Sequence, residues 1–224
     1  MSQSAYPAEV STKPALVFSS CWGNPLQLGI KRAFDLVGSG TLLLLLSPVL
    51  AMFGLLVRLT SPGPIFYRWK VVGKDGRPFL GYKFRSMRAD ADALKAQLEG
   101  FNEMRGPMFK MTNDPRITRF GAWMRRYSLD ELPQLYNVLK GDMSLVGPRP
   151  PLVTEYARFS EFQKQKLAVK PGMTCLWQVS GRNQINDFDE WLKLDLEYIE
   201  RWSLFLDLRI LLRTGREVFS GSGK

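Results

Sequence analysis

The densest cluster of polar residues lies in the sequence RRYSLDELPQL, at positions 125–135. Two arginines precede the acidic pair Asp130-Glu131, and a short amphipathic helix is predicted to follow. Carboxylates at a helix N-terminus lie at the positive end of the helix dipole, and neighbouring guanidinium groups favour their ionisation further. The pattern is typical of acid pairs that take part in catalysis. Helix capping is the alternative, because Ser128 and Glu131 match the S-x-x-E capping box, and this cluster alone fits both interpretations.

A second candidate is Arg149, which lies in the sequence GDMSLVGPRP at positions 141–150. The prolines on either side restrict the backbone, so the guanidinium group is held in a manner that suits a bidentate contact with phosphate. A tight loop with a solvated arginine is the alternative.

Lys83 and Arg85 alternate with aromatic residues in the sequence YKFRSMR, at positions 82–88. Residues two apart on a strand share a face, so we expect both cations to face the same phosphate, RNA or lipid headgroup. The alternative is an edge strand protected by its charges. A further segment, KPGMTCLWQVSGR, ends in Arg182 and fits either a nucleotide or sugar pocket or a structured loop.

The composition excludes several classes of chemistry. The absence of histidine excludes Ser-His-Asp and Cys-His hydrolases and helical H-E-x-x-H zinc sites. Cys21 and Cys175 are far apart, which argues against a zinc or iron–sulfur site. The 224 residues include 31 Lys and Arg against 21 Asp and Glu, a net charge of +10. Such a charge indicates an anionic partner, which is a nucleic acid, a phosphorylated small molecule or an anionic membrane face.

Positions 36–57 form an apolar run without a charged residue, long enough to span a membrane. Ser47-Pro48 lies in its middle, where a proline is expected to kink or break a helix. Both flanks are basic, and the positive-inside rule places both in the cytoplasm. A helix–break–helix hairpin that enters one leaflet and returns fits both observations. A Pro-kinked span and a buried soluble helix are the alternatives.

Turn signals and periodicity predict the other elements. Residues 65–72 and 78–86 are predicted to form a hairpin around a Gly-Lys-Asp-Gly-Arg turn. The tail over 202–219 interleaves apolar residues with arginines, in a pattern typical of a helix at a membrane surface or packed on a core. Further helices are predicted over 89–99, 132–139 with Gly141 at its end, 152–168 and 187–202, with a mobile arm over 1–27 and a loop over 106–115.

In this order, these segments resemble the bacterial monotopic phosphoglycosyl transferases over roughly residues 28–219. The segments that carry the resemblance are KRAFDLVGSGTLLLLLSPVL, YKFRSMR, SLDELPQL, GDMSLVGPRP and KPGMTCLWQVSGR. The resemblance implies an enzyme at the cytoplasmic face of the bacterial inner membrane. It would transfer a hexose 1-phosphate from a UDP-sugar to polyprenyl phosphate and release UMP, as the first membrane step of exopolysaccharide, O-antigen or capsule assembly.

The resemblance also implies roles for individual residues. Asp130 is the expected nucleophile, Mg²⁺ is expected on Glu131 or Asp130, and Ser47-Pro48 is the expected break of the membrane hairpin. The expected phosphate- or substrate-binding cations are Arg125, Arg149, Lys83, Arg85 and Arg182. A non-enzymatic, membrane-tethered module for RNA or anionic lipid is the alternative function. It leaves the acid pair unexplained, because carboxylates would repel a polyanion, so no nucleic-acid partner is expected. A polyprenyl-phosphate phosphatase would use the same acid pair.

The expected fold is α/β and mostly helical, with a short β-hairpin and interfacial amphipathic helices. A re-entrant membrane hairpin over 28–60 is expected to precede a cytoplasmic catalytic domain over 61–224. The chain lacks the four N-terminal spans of larger members, so we expect a small member or a catalytic core. Cys175 stands where the family usually has glycine. Residues 99–118 resemble the glucose- and galactose-phosphate transferases, which suggests UDP-glucose or UDP-galactose as the donor.

Overall fold

The computed structural model describes residues 22–181, 184–221 and 223. Most of the predicted arm therefore lies outside the described residues, and its end already belongs to the first helix. The helices are α1 (Pro25–Thr60), α2 (Ala91–Leu98), α3 (Arg119–Arg126), α4 (Gln134–Lys140), α5 (Val153–Tyr156), α6 (Glu161–Lys164), α7 (Phe188–Glu200) and α8 (Leu204–Ser220). The strands are β1 (Phe66–Val72), β2 (Pro78–Phe84), β3 (Ser144–Val146) and β4 (Gly172–Thr174).

The apolar run lies within one unbroken helix, α1. The helix continues through the proline, so the structure shows no interruption at Ser47-Pro48, and a bend at this position stays a prediction. Pro48 lacks the N–H that would donate to the carbonyl oxygen of Leu44. The Ser47 hydroxyl donates to that same oxygen at 2.8 Å. The carbonyl group keeps a hydrogen-bond partner, so the helix tolerates the proline.

Helix α1 packs on the rest of the chain near both ends and is exposed in between. Lys31, Asp35 and Ser39 are buried in its N-terminal part, and Phe53 and Val57 are buried in its C-terminal part. An 18-residue window of the helix has a mean hydropathy of 2.3, yet only 17% of that window is buried. By length and composition, α1 is able to cross a membrane.

The predicted β-hairpin is confirmed. Strands β1 and β2 pair antiparallel, in a register that places Trp69 opposite Gly81. Asp75 and Gly76 in the turn have positive φ angles of 57° and 76°, a region that glycine adopts freely and aspartate tolerates. Strand β2 lies against α4 and the turn that precedes it, which brings Lys83 toward the acid pair.

A second, parallel sheet was not predicted. Strands β3 and β4 pair Ser144 with Gly172 and Val146 with Thr174. They contribute to the main hydrophobic core, together with apolar side chains of α4, α7 and α8. This sheet fixes the start of the segment that leads to Arg149.

The helix predictions are confirmed in part. Helices α2, α4, α7 and α8 lie close to the predicted ranges, and Gly141 ends α4 with a φ angle of 100°. The single helix predicted over 152–168 is wrong, since α5 and α6 are separate short helices. Helix α3 was not predicted. Helix α8 packs on the core through Asp207 and Ile210, which confirms the core-packing interpretation for one face. Its other face is exposed, and contact of this face with a membrane stays a prediction.

Candidate active site

The acid pair lies in a short 3₁₀ turn, Leu129–Glu131, between α3 and α4. Ser128 precedes this turn in a left-handed conformation, with a φ angle of 54°. The capping interpretation is wrong, because the Ser128 side chain makes no capping hydrogen bond and no side chain caps the start of α4. Asp130 and Glu131 are nevertheless buried, with only 6% and 8% of their surface exposed. The pair is therefore placed for chemistry or ligand binding rather than for helix capping.

Among the described residues, three polar side chains contact the Glu131 carboxylate. Lys83 Nζ lies 2.7 Å and Arg149 Nη1 3.2 Å from Oε1, and Gln178 Nε2 donates to Oε2 at 3.4 Å. Lys83 comes from β2, Arg149 from the proline-flanked segment after β3, and Gln178 from the segment after β4. Residues that are distant in sequence thus fix one carboxylate.

The Asp130 carboxylate is surrounded differently. Among the described residues, no donor forms a hydrogen bond with it. Burial raises the pKa of Asp130, and the neighbouring charge of Glu131 raises it further, while Lys83, Arg125 and Arg149 oppose the rise. Asp130 is thus a desolvated carboxylate close to three cations, with its oxygen atoms available to a substrate. A desolvated carboxylate of this kind is a stronger nucleophile than a hydrated one.

Trp69 supports the two cations that hold Glu131, and sequence reasoning missed it. Lys83 Nζ lies 4.1 Å and the Arg149 guanidinium carbon 5.9 Å from the centre of its ring, both within cation–π range. The ring occupies the space over Gly81, where a Cβ atom would collide with Nε1. A signal for this contact was present, since a large residue and a glycine face each other across the predicted hairpin.

Of the remaining predicted cations, Arg125 lies near the acid pair, whereas Arg85 does not share a ligand with Lys83 as was predicted. Arg125 Nε donates to the Ser86 hydroxyl at 2.9 Å. The positive charge of Arg125 acts to lower the pKa of Asp130. The Arg85 guanidinium group instead donates to the carbonyl oxygens of Ser61 at 2.6 Å and Pro62 at 2.8 Å. Arg85 and Lys83 therefore do not face one ligand. Arg85 holds the chain at the end of α1, where carbonyl groups lack helical partners.

Gln178 and Cys175 were not predicted to contribute. The Cys175 thiol, which is buried, donates to Gln178 Oε1 at 3.5 Å, and the same amide group contacts Glu131. Burial raises the pKa of this thiol to about 12, so the side chain is a neutral donor and not a nucleophile. Arg182, the last predicted cation, lies outside the described residues.

Comparison with known proteins shows the family of this chain. The family described as bacterial sugar transferase matches residues 26–221. The chain belongs to this family. The galactosyl transferase CpsE of Streptococcus agalactiae is 50% identical over 86% of this chain and 43% of its own length. The UDP-glucose:undecaprenyl-phosphate glucose-1-phosphate transferase of Escherichia coli is 40% identical over 86% of this chain and 40% of its own length. The exopolysaccharide production protein ExoY of Rhizobium meliloti is 38% identical over 82% of this chain and 83% of its own length.

This member of the bacterial sugar transferase family spans less than half the length of the first two relatives. The matched region nevertheless contains the acid pair and every described side chain that contacts it. The site geometry above therefore belongs to the region that these proteins share.

The donor set of this family member fits a Mg²⁺ ion that is shared with a phosphorylated ligand. Among the described residues, no group of three or more His, Cys, Asp or Glu side chains could hold a metal ion by itself. Protein-bound Mg²⁺ commonly uses one or two carboxylates and takes its other ligands from phosphate groups and water. Asp130 and Glu131 supply such a pair, and the Asp130 oxygen atoms are available.

Proposed function

We propose that this chain transfers a hexose 1-phosphate from a UDP-sugar to polyprenyl phosphate and releases UMP. The observation that carries the proposal is the contrast within the acid pair, since Glu131 is held by three side chains whereas Asp130 is buried beside three cations with its oxygen atoms available. Two relatives support the proposal by their names: the undecaprenyl-phosphate galactose phosphotransferase of Salmonella typhimurium, which is 45% identical, and the E. coli glucose-1-phosphate transferase described above. With the resemblance of residues 99–118, these names favour UDP-glucose or UDP-galactose as the donor.

In the first step, an Asp130 carboxylate oxygen attacks the β-phosphorus of the UDP-sugar. A new oxygen–phosphorus bond forms, and the bond from that phosphorus to the bridging oxygen breaks, so that UMP leaves with the electron pair. The product is an aspartyl phosphosugar on the enzyme. Lys83, Arg125 and Arg149 lie close enough to Asp130 to influence its ionisation, and their charges offset the negative charge that develops on the phosphoryl oxygens.

In the second step, an oxygen of polyprenyl phosphate attacks the same phosphorus and displaces Asp130. This restores the carboxylate and yields a polyprenyl diphosphate sugar. A phosphate acceptor is already ionised at neutral pH, so the step needs no general base and the absence of histidine is no handicap. When bound by Asp130 or Glu131 together with the diphosphate, Mg²⁺ would supply further neutralisation of the phosphoryl charge.

The same proposal includes the arrangement at the membrane. We infer that α1 enters the cytoplasmic leaflet of the inner membrane and returns by bending at Ser47-Pro48. Burial at both ends of α1, with exposed leucines between them, supports this arrangement. The active site would then lie at the cytoplasmic surface, within reach of a soluble UDP-sugar and of the phosphate head of a lipid acceptor.

The test is the intact mass of the full chain in detergent, with Mg²⁺ and a panel of UDP-sugars but without a lipid acceptor. We expect a mass increase of one hexose phosphate with the correct donor, and loss of that adduct in the variant Asp130→Asn. A matched control is Asp189→Asn, since Asp189 is an exposed aspartate of α7 far from the acid pair in sequence. The control should form the adduct as the unmodified chain does.

Three results would contradict the proposal. An adduct that persists in Asp130→Asn would overturn the assignment of the nucleophile. If the chain releases UMP from none of the donors, even when polyprenyl phosphate is supplied, the transferase assignment is wrong. Release of inorganic phosphate from polyprenyl phosphate without a sugar donor would identify a phosphatase instead.

A further inference from the structure

A cavity of about 460 Å³ lies between α7, α8 and the segment Leu176–Ser180. Its apolar lining includes Leu194, Leu206 and Ile210, and its polar lining consists of three arginines, two serines and Glu197. A cavity that combines apolar walls with several cations suits an anionic amphiphile better than it suits a neutral or a fully polar ligand. Nothing in the reaction proposed above uses this cavity.

Two of the three arginines that line the cavity have no acidic partner among the described residues. Arg201 is paired with Glu197 at 2.9 Å, so this pair is electrically neutral. Arg209 and Arg213 lie four residues apart on α8, which places them side by side. Neither of them forms an ion pair with any of the residues that the structure describes. Two adjacent, unpaired guanidinium groups are well suited to bind one phosphate group.

The cavity opens beside an exposed apolar stripe on α8. This stripe consists of side chains that are 46–89% exposed: Phe205, Leu208, Leu212 and Phe219. Phe205 also lines the cavity, so the stripe and the cavity are continuous. A helix with an exposed apolar stripe flanked by arginines lies at the level of lipid headgroups, with the arginines directed toward phosphates.

The cavity is separated from the acid pair by a single segment of chain. Gln178 contacts Glu131, whereas Leu176 and Ser180, two residues to either side, line the cavity. A molecule in the cavity therefore lies behind this segment and does not contact Asp130. Its phosphate group is not the one that reacts, which distinguishes the occupant from the lipid acceptor.

We propose that this cavity binds the headgroup of an anionic membrane phospholipid, with the phosphate group between Arg209 and Arg213 and the acyl chains along the apolar stripe of α8. The proposal rests on the membrane association included in the proposed function, but not on the identity of the sugar donor or on the covalent step. Such a lipid would fix α8 at the membrane surface. It would also steady the segment that carries Gln178.

Native mass spectrometry of the full chain in detergent tests this site, with phosphatidylglycerol as the probe and phosphatidylcholine as the neutral comparison. We expect phosphatidylglycerol to be retained at least tenfold more strongly than phosphatidylcholine. The double variant Arg209→Gln/Arg213→Gln should lose this preference. The matched control is Arg68→Gln/Arg77→Gln, which removes the same charge from exposed arginines of the β1–β2 hairpin, outside both the cavity and α8. It should keep the preference within twofold.

The outcomes separate this proposal from the proposed function. Equal retention of phosphatidylglycerol by the two double variants would overturn the lipid site. Displacement of phosphatidylglycerol by equimolar polyprenyl phosphate would overturn it too, because the cavity would then hold the acceptor. UMP release measured on the same samples should be unchanged by Arg209→Gln/Arg213→Gln in detergent. If wild-type protein binds phosphatidylglycerol as expected but releases no UMP, the transferase proposal fails and the lipid site stands.

Discussion

Asp130 and Glu131 are neighbours in sequence but have opposite environments. Glu131 accepts hydrogen bonds from Lys83, Arg149 and Gln178, which compensate for the water it has lost. Asp130 is equally buried, yet no described side chain donates to it. The residue that is proposed to attack phosphorus is therefore the one whose ionised form is least stabilised by the fold. Reactivity at Asp130 comes at the expense of stability.

The variant Asp130→Asn should accordingly be more stable than the unmodified chain. The pKa of Asp130 is raised by burial above its ordinary value of 3.8, so at neutral pH the ionised side chain destabilises the folded state relative to the unfolded state. Removal of the charge should raise the melting temperature, by about 2–4 °C for each kcal/mol gained in a chain of this size. The gain should shrink as the pH falls from the raised pKa of the folded state toward the ordinary value, and it should be absent below the ordinary value, because the carboxyl group is then protonated in both states.

Thermal unfolding in detergent, followed by intrinsic tryptophan fluorescence at neutral and acidic pH, measures this effect. Asp189→Asn serves again as the control and should leave the melting temperature nearly unchanged. A lower melting temperature for Asp130→Asn at neutral pH would show that the Asp130 charge stabilises the fold, contrary to this interpretation.

Much of the site was predictable from residue types, and the rest depended on packing. The structure brings Lys83, Arg149 and the acid pair together, as expected from three separate motifs. Arg85 was expected beside Lys83 from strand alternation, but β2 ends at Phe84 and the alternation does not continue past it. Gln178 carries no charge, and its contribution depends on where the segment after β4 packs. No local pattern in the sequence indicates that position.

At the level of elements, the hairpin β1–β2 does more than place Lys83. Trp69 on β1 lies across from Gly81 on β2, and its ring supports the cations on which Glu131 depends. The ring fits there because Gly81 has no side chain. Two of the ring carbons would lie only 2.7 and 2.8 Å from a Cβ atom at this position.

The variant Gly81→Ala should therefore impair activity without unfolding the chain. The added methyl group must push the Trp69 ring away, and Lys83 and Arg149 then lose their cation–π contacts with this ring. Displacement of catalytic groups by about 1 Å typically reduces activity by up to about a hundredfold, so we expect a loss of roughly ten- to a hundredfold in UMP release. Gly215→Ala is the matched control, since nothing lies within 4 Å of a Cβ atom there. Full activity in Gly81→Ala would show that Trp69 does not position these cations.

The elements themselves were predicted where the signal is local. The Gly-Lys-Asp-Gly turn indicated the hairpin, and Gly141 indicated the end of α4, since both depend on backbone conformations that a few residue types favour. Strands β3 and β4 have three residues each, and their parallel pairing is decided by the surrounding core. The proline in α1 does not interrupt the helix, because the Ser47 hydroxyl donates to the carbonyl oxygen that Pro48 leaves without its usual partner.

For the whole molecule, the decisive feature is that both ends of α1 pack on one domain. Near the N-terminal end, Asp35 accepts hydrogen bonds from Ser144 and Leu145 of β3. Near the C-terminal end, Phe53 packs edge-on against Phe84 of β2. A helix that crossed the bilayer would place these two ends on opposite sides of the membrane. Contact of both ends with the same domain favours re-entry from one side.

Cysteine labelling in intact cells and in inverted membrane vesicles tests this topology. Cys21→Ser gives a suitable background, because the remaining Cys175 is buried and burial raises its pKa to about 12, so it reacts slowly. Cysteine then replaces, one at a time, three leucines of α1 that are exposed to similar extents: Leu26 at 72%, Leu44 at 75% and Leu59 at 72%.

The expected labelling by a membrane-impermeant maleimide follows from re-entry of α1. Leu26→Cys and Leu59→Cys should react in inverted vesicles and not in intact cells, since both ends of the helix would face the cytoplasm. Leu44→Cys should react in neither, because lipid covers it. Labelling of Leu26→Cys and Leu59→Cys from opposite sides would establish a crossing helix, and labelling of all three in inverted vesicles would show that α1 does not enter the membrane.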